Sequence, residues 1–518
     1  MRPSTLSSRW RPSATRVTST VEGLEGSNHD FYRFRHALLR DEAYESLVRS
    51  ERRAHHLRIG VALETDFQAE AAARPEIVAQ HFLQGGDANK GVFYLLMAPR
   101  RAVGVSANIE ATRHAERALA VLSEQPASAA RARLELACHT LRGSALLASR
   151  GYAADQVQDA FARARELVSE AGESPQLVPV LHGLWLFHMV RGDREPSAEL
   201  AEQLRVIGES SEDEASQLFG LTAAGIQAFF TGRFAESVDL VERAYALYEP
   251  ARHRQLAVTY SLGTAGVARA NAAFCLWALG YPDRAAQLAR QVIEAARRDR
   301  HPFTLAGVLT MASMVFQVRG DALLFDLGTE ALEIATQQSF PLWVGGGLVS
   351  LGRGITARGE PEAGIARSQE GLERFRATGA QLDTSFVLGG LTEMLLAQGR
   401  LEEAEAAIHE ALDICTNGLE VFYASEIVRL EGEVVLAQSG DESEARRHFE
   451  RAYAMTCDGR APSLALRAAM SLVRLALRGG PAQEELTVLG RLYASFTEGF
   501  DTQDLREARA LLGEKAGP

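Results

Sequence analysis

The residues of this 518-residue chain whose types could do chemistry are its histidines, its paired acids, four cysteines and two lysines. His55 and His56 are adjacent, so on a helix they point to different faces and cannot share a metal ion. His182 and His188 lie on either side of Trp185, again on different faces, where packing or capping is the expected role. Glu402-Glu403 and Asp441-Glu442 fall where a helix should begin, and there a carboxylate offsets the positive end of the helix dipole. Cys138, Cys275, Cys415 and Cys457 are far apart, with no CxxC pair and no histidine at zinc-ligand spacing, and are expected to be reduced, buried and inert. No Gly-x-Ser-x-Gly elbow is present to give hydrolase geometry. Of 55 basic residues only Lys90 and Lys515 are lysine, and neither has the GxxxxGK[ST] context in which a lysine reaches nucleotide phosphates. These residues predict no enzyme, no metal site and no cofactor.

Composition narrows the class further. A formal charge of -12 leaves no basic excess for phosphate contacts, so direct nucleic-acid binding is not expected. No run approaches the roughly 18 apolar residues of a membrane-spanning helix, and the start lacks the apolar core of a secretory signal, which predicts a cytoplasmic protein without a membrane partner.

The elements that must position any site are read from glycine spacing. From about residue 129 each segment reads as an amphipathic helix, a glycine-marked turn and a second amphipathic helix. The turn glycines are Gly151, Gly192, Gly232, Gly280, Gly320, Gly359, Gly399 and Gly440, with a ninth at Gly479 or Gly480. Successive differences among the first eight are 41, 40, 48, 40, 39, 40 and 41 residues, so one insertion falls between Gly232 and Gly280. A fixed period of this size marks a helical-repeat array.

Side-chain size repeats with the glycines. Seven residues before the turn stand Ser144, Gly225, Ala273, Ser313, Gly352 and Thr392, and five after it Ser197, Ser237, Ala285, Gly364, Ala404 and Ala445. Four before it lie Leu147, His188, Leu276, Phe316, Ile355, Leu395 and Leu436. A large knob between small holes lets antiparallel helices interdigitate at close range. Trp185 and Glu433 break the first small position, Gln156 and Phe325 the second, so those repeats are expected to be splayed or shifted. Pro282, Pro361 and Pro481 fall in the first turn of a second helix, and Pro302 and Pro341 at or just before a first helix.

This register resembles the tetratricopeptide repeat, best in Gly399-Arg400-Leu401-Glu402-Glu403-Ala404-Glu405-Ala406-Ala407-Ile408-His409-Glu410-Ala411-Leu412. The period exceeds the family's 34 residues by about six. The resemblance implies an all-α fold, a right-handed superhelical solenoid of eight or nine helix pairs with a period near 40. It also implies a concave face lined by first-helix residues, which here are Ile226, Phe229, Phe274, Trp277, Met314, Gln317, Arg353 and Thr356. Gln317 and Arg353 are the members least easily explained as core.

Residues 1–28 are rich in Arg, Ser, Thr and Pro and are expected to be disordered. The stretch 29–128 begins with Phe31-Tyr32-Arg33-Phe34-Arg35-His36-Ala37-Leu38-Leu39-Arg40-Asp41-Glu42-Ala43-Tyr44-Glu45-Ser46-Leu47, which resembles the tail of the winged-helix module of bacterial signal-transduction ATPases. Linking helices would follow, around Pro75-Glu76-Ile77-Val78-Ala79-Gln80-His81-Phe82, and then the array over 129–518. Longer two-helix repeats of this kind occur in the sensor arms of LuxR-type regulators similar to the maltose-operon activator, and in cyclase-linked ATPases. The resemblance implies a non-catalytic, protein-interaction or effector-sensing arm whose ATPase or cyclase is separate, with a protein, a peptide or a small effector as partner. The alternative it leaves open is a fragment of a cyclase-linked ATPase or of an ATP-dependent transcriptional regulator.

Overall fold

The computed structural model describes residues 21–24, 31–34, 37–98, 105–151, 153–171, 177–249, 264–418, 420–456 and 458–513. Most of the segment expected to be disordered, the greater part of the insertion between Gly232 and Gly280, and Cys457 lie outside these residues. The described chain divides into two compact units after Ala98.

In the first unit, strand β1 (Val21–Leu24) pairs antiparallel with β2 (Phe31–Phe34), Val21 opposite Phe34. Among the described residues this hairpin is the exception to an otherwise helical architecture, and Val21–Leu24 falls within the stretch expected to be disordered. Strand β2, Phe31-Tyr32-Arg33-Phe34, carries the aromatic residues that favour strands, while β1 has only Val21 and Leu24. Helices α1 (Ala37–Glu45), α2 (Arg49–Thr65), α3 (Gln68–Ala73), α4 (Pro75–Gly85) and α5 (Ala88–Met97) follow. Phe82, Val78, Val92 and Leu95 form the core among α2, α4 and α5. Lys90 is held there in an ion pair with Glu64 and lies over the Phe82 ring.

The second unit begins with α6 (Val105–Ser123), α7 (Ala129–Arg150), α8 (Asp155–Ala171), α9 (Leu177–Arg191), α10 (Arg194–Ser210), α11 (Glu214–Phe230) and α12 (Phe234–Leu247). It continues through α13 (Thr264–Ala278), α14 (Pro282–Asp299), α15 (Pro302–Arg319), α16 (Leu324–Gln337), α17 (Pro341–Ala357) and α18 (Pro361–Arg376). The last elements are α19 (Thr384–Ala397), α20 (Leu401–Asn417), α21 (Ala424–Gln438), α22 (Glu442–Ala454), α23 (Pro462–Gly479), α24 (Gln483–Ser495) and α25 (Gln503–Leu511). Each first helix packs on its own second helix and on its sequence neighbours, the arrangement of a tetratricopeptide-like solenoid. Nine pairs run from α7 to α24. Helix α6, expected among the linking helices, packs on α7 within this unit. Among the described residues no helix is long and apolar enough to cross a membrane.

Each of the nine turns contains a glycine at positive φ, and the ninth is Gly480. At Gly320 (φ 70°) the glycine N–H reaches the Gln317 carbonyl and the next N–H, of Asp321, reaches the Phe316 carbonyl. The same pair of bonds recurs after α9, α11, α13, α17 and α19, and it satisfies the last carbonyls of each first helix. A second residue type would be strained there, which is why the period is carried by glycine.

The small positions let backbones touch. A Cβ on Gly352 would lie 2.6 Å from the Gly364 carbonyl oxygen, so α17 and α18 cross at a distance only glycine allows. In the repeat of Trp185 that large side chain is fully buried, and α9 approaches the preceding repeat closely at Gly183, where a Cβ would sit 2.3 Å from the Phe161 ring of α8. Pro282, Pro302, Pro341 and Pro361 each occupy the first turn of a helix, whereas Pro481 stands just before α24.

Candidate functional site

Contacts that skip many repeats decide which part of the inner face is accessible. The Gln381 and Leu382 N–H groups both donate to the Val190 carbonyl, at 2.9 and 3.2 Å. The Val421 and Phe422 N–H groups donate in the same way to Phe230, at 2.8 and 3.2 Å, and Ser463 Oγ donates to the Trp277 carbonyl at 2.5 Å. The acceptors end α9, α11 and α13, and the donors precede or open α19, α21 and α23. Each contact therefore joins a repeat to the one five further along. The second connector and the first turn of α19 lay aromatic rings across the earlier first helices, with Phe229 4.5 Å from Phe422, Phe274 5.8 Å from Phe386, and Phe274 5.6 Å from Phe422 between ring centroids.

This seam fixes the fate of the eight inner-face residues read from the sequence. Ile226, Phe229, Phe274, Trp277 and Met314 are at most 4% exposed and belong to the continuous apolar core of the second unit. They are covered by the chain itself, so in this conformation they offer no open groove; the repeat offsets alone do not reveal a turn lying on top of them. Gln317, Arg353 and Thr356 lie beyond the covered stretch and line a solvent-open cavity of about 590 Å³.

The first helices of five successive repeats, together with α25, build that cavity. Helix α15 contributes Gln317, α17 Arg353 and Thr356, α19 Glu393 and Met394, α21 Arg429, α23 Arg467 and Arg474, and α25 Gln503, Asp504 and Glu507. Gly390 on α19 makes room for the first two: a Cβ there would meet Gln317 Nε2 at 2.8 Å. With that room, Arg353 lies across the α19 backbone, donating to the Gly390 carbonyl at 2.6 Å and to Glu393 at 2.9 Å. On the far wall Glu426, fully enclosed, accepts from Arg429 at 2.7 and 3.0 Å and from Arg467 at 3.2 Å. Arg467 also donates to Asp504 at 2.9 Å and to the Val318 carbonyl at 2.8 Å, and its guanidinium faces the Trp277 ring at 5.1 Å. Arg429 and Ser471 both donate to Glu433, at 3.1 and 2.7 Å.

Burial by itself would raise the Glu426 carboxyl, but the Arg429 and Arg467 guanidiniums outweigh it and hold the group at about 2. Glu426 is therefore ionised and fixed between the two guanidiniums. Four arginines, Arg353, Arg429, Arg467 and Arg474, face four acids, Asp321, Glu393, Asp504 and Glu507, so the lining offers donors and acceptors in balance. Such a surface can hold a polar chain or a doubly charged ligand by hydrogen bonds. It presents no nucleophile next to a base.

Glu393, Arg429, Arg467 and Asp504 were not singled out in the sequence. One signal was available: Glu433 breaks the small-residue position, and Glu426, Arg429 and Glu433 recur at helical spacing on a face that other repeats keep apolar. The other chemistry-bearing residues stay apart. His182 is buried against Trp185 and Phe219 and pushed down to about 3 by that burial, while His188 pairs with Asp193 at 2.9 Å. His56 contacts His81 and Tyr44, not His55. No group of three His, Cys, Asp or Glu side chains able to hold a metal ion occurs among the described residues. The Cys138 and Cys275 thiols are buried and pushed up to about 12 by desolvation, and Cys415, also at about 12, is half-buried.

No family model matches the chain. An uncharacterized protein of Rhizobium meliloti is 23% identical over 418 residues, which is 80% of this chain; the chain covers 40% of that relative's length. A Rap protein complexed with competence and sporulation factor superposes with a TM-score of 0.48 at 11% identity, over 73% of this chain and 99% of that one. A hetero-tetramer of APC/C gives 0.47 at 12% identity, over 93% and 97%. A signal-transduction ATPase with numerous domains and a tetratricopeptide repeat sensor, from Pyrococcus horikoshii, gives 0.35 at 13% identity, over 84% and 72%.

Proposed function

We propose that the chain is a non-catalytic interaction and effector-sensing scaffold, the regulatory arm of a signalling system of the ATPase or cyclase type. The observation that carries this reading is the 590 Å³ cavity, open to solvent and lined by five consecutive repeats and α25, with ion-paired arginines and carboxylates in its wall. A lining whose charges are already oriented loses little side-chain entropy on binding. Balanced donors and acceptors suit the backbone of an extended peptide or a small zwitterion better than a phosphate group or an apolar ligand. The test is selection of a random peptide library on the immobilised full chain, with Arg353→Ala and Glu393→Ala variants as controls. Peptides that bind the parent protein and lose about tenfold or more in affinity on either variant support the reading. Equal binding to all three proteins, or none to any, contradicts it.

A second reading is favoured by the relative of which this chain covers 40%: the array would act inside a longer signalling protein. Reading the coding sequence upstream of Met1 tests it. An in-frame phosphate-binding loop supports the longer protein, and an unrelated gene supports a free-standing scaffold.

A further inference from the structure

A second cavity lies on the covered side of the seam, away from the charged one. It measures about 60 Å³ and is lined by apolar side chains of five successive first helices, among them Leu186, Ile226, Phe230, Val267, Met311 and Trp343. A single water needs roughly 10–15 Å³ and two to four polar partners. This cavity has room for several waters, yet nearly all of its wall is carbon. Three lining side chains break that pattern: Thr304, whose hydroxyl is bonded to His301, and Asn271 and Asp383. Asn271 is 3% exposed and Asp383 9%, and Asn271 Oδ1 and Asp383 Oδ1 have no hydrogen-bond partner.

Asp383 is unusual in three further respects. Its backbone is left-handed, φ 64°, a conformation uncommon outside glycine though better tolerated by aspartate than by most residues, and it directly follows the N–H groups fastened to Val190. Its electrostatic neighbour is another buried acid, Glu420, which caps the start of α19 by accepting from the Thr384 and Ser385 N–H groups at 3.2 and 2.9 Å. Neither carboxyl has an ion pair among the described residues. A buried anion without a cation is costly, and an acceptor without a donor adds to that cost. The wall supplies apolar contact, and the polar end of the cavity lacks a positively charged donor.

We propose that this cavity binds a small amphiphilic ammonium ion, its alkyl part among Leu186, Ile226, Val267 and Met311 and its ammonium group on Asp383, with the Asn271 carbonyl oxygen as second acceptor. The site is separate from the charged cavity, so a regulatory amine and a peptide partner could be bound together. It also touches the first latching connector, since Leu382 and Asp383 line it, and Asp383 acts electrostatically on Glu420, which directly precedes Val421 and Phe422 of the second.

The test is calorimetric titration of the full chain, at slightly alkaline pH, with n-propylammonium, 1-propanol and propanoate, followed by the n-alkylammonium series of increasing length. The expected result is that propylammonium binds about tenfold or more tightly than propanol. Propanoate should not bind, and affinity should rise with chain length and then fall once the chain outgrows the cavity. Asp383→Asn should bring amine and alcohol within about twofold of each other. Ile226→Trp, which fills the cavity, should abolish binding of both; the chain-length series gives the same information without a variant if that protein does not fold. Equal binding of amine and alcohol to the parent protein, no binding of either, or a preference that survives Asp383→Asn overturns the proposal.

Discussion

The inner faces of α9–α15 and of α17–α25 occupy the same register of the same repeat, yet one is a closed aromatic core and the other a charged opening. Position in the repeat therefore does not decide exposure. What separates the two, among the described residues, is whether the connector of a repeat five units further along lies on top. The carbonyls that end α9, α11 and α13 meet such later segments, while the face from Gln317 to α25 lines the open cavity. Apolar and charged residues are distributed accordingly: Phe229, Phe274 and Phe422 on the covered side, Arg353, Arg429 and Arg467 on the other.

The comparison can be broken most forcefully on the covered side. Phe422→Ala removes the ring shared by Phe229, Phe230 and Phe274, and should cost about 4 kcal/mol in denaturant unfolding, the usual scale for a large aromatic taken from a core. A loss below about 1 kcal/mol would mean the seam is not a core. On the open side, Glu426→Gln leaves Arg429 and Arg467 facing each other without their buried anion and should cost about 3 kcal/mol. Its signature is a loss of stability with the covered aromatic cluster intact by near-ultraviolet circular dichroism.

A third contrast concerns pH. Burial, and for Glu420 the neighbouring Asp383 as well, raises these two carboxyls, to about 7 for Asp383 and about 8 for Glu420. Acids raised on folding hold protons that the unfolded chain has already released, so their contribution is fully present below the ordinary carboxylate range, ~4, and is lost as pH rises through the raised values. Stability should therefore decline toward mild alkalinity. The double variant Asp383→Asn with Glu420→Gln should flatten that slope and exceed the parent by on the order of 2 kcal/mol at pH ~8. A parent protein whose stability rises over the same interval contradicts the assignment. The smallest expected effect on stability is that of Arg353→Ala, under about 1 kcal/mol, because its carboxylate partner Glu393 remains partly solvated. A larger loss would make Arg353 a structural residue before a binding one.

The repeat was legible because glycine is the residue that closes each turn at positive φ, so the period shows directly in residue type. The small positions were legible for the same kind of reason, since helices crossing at the Gly352–Gly364 distance exclude side chains. What the sequence conceals is the contact between repeats about 190 residues apart, for example Gln381 on Val190. Those bonds use backbone N–H and carbonyl groups, which leave no mark on side-chain type. The inner-face offsets thus located Gln317, Arg353 and Thr356 beside Phe229 and Trp277 without separating open from covered. The opposite wall, Arg429 with Arg467, depends on α21 meeting α23 around one buried acid, a pairing that no local spacing displays.

Hydrogen exchange at four connector amides tests the central claim most directly. Gln381, Leu382, Val421 and Phe422 lie outside helices, where amides ordinarily exchange fast, but here their N–H groups are bonded to carbonyls five repeats earlier. If the array closes on itself, these four should exchange as slowly as the core amides of α11 and α13. Exchange at the rate of exposed loops would mean that the earlier inner face is open, and that the contrast between the two regions does not exist in solution.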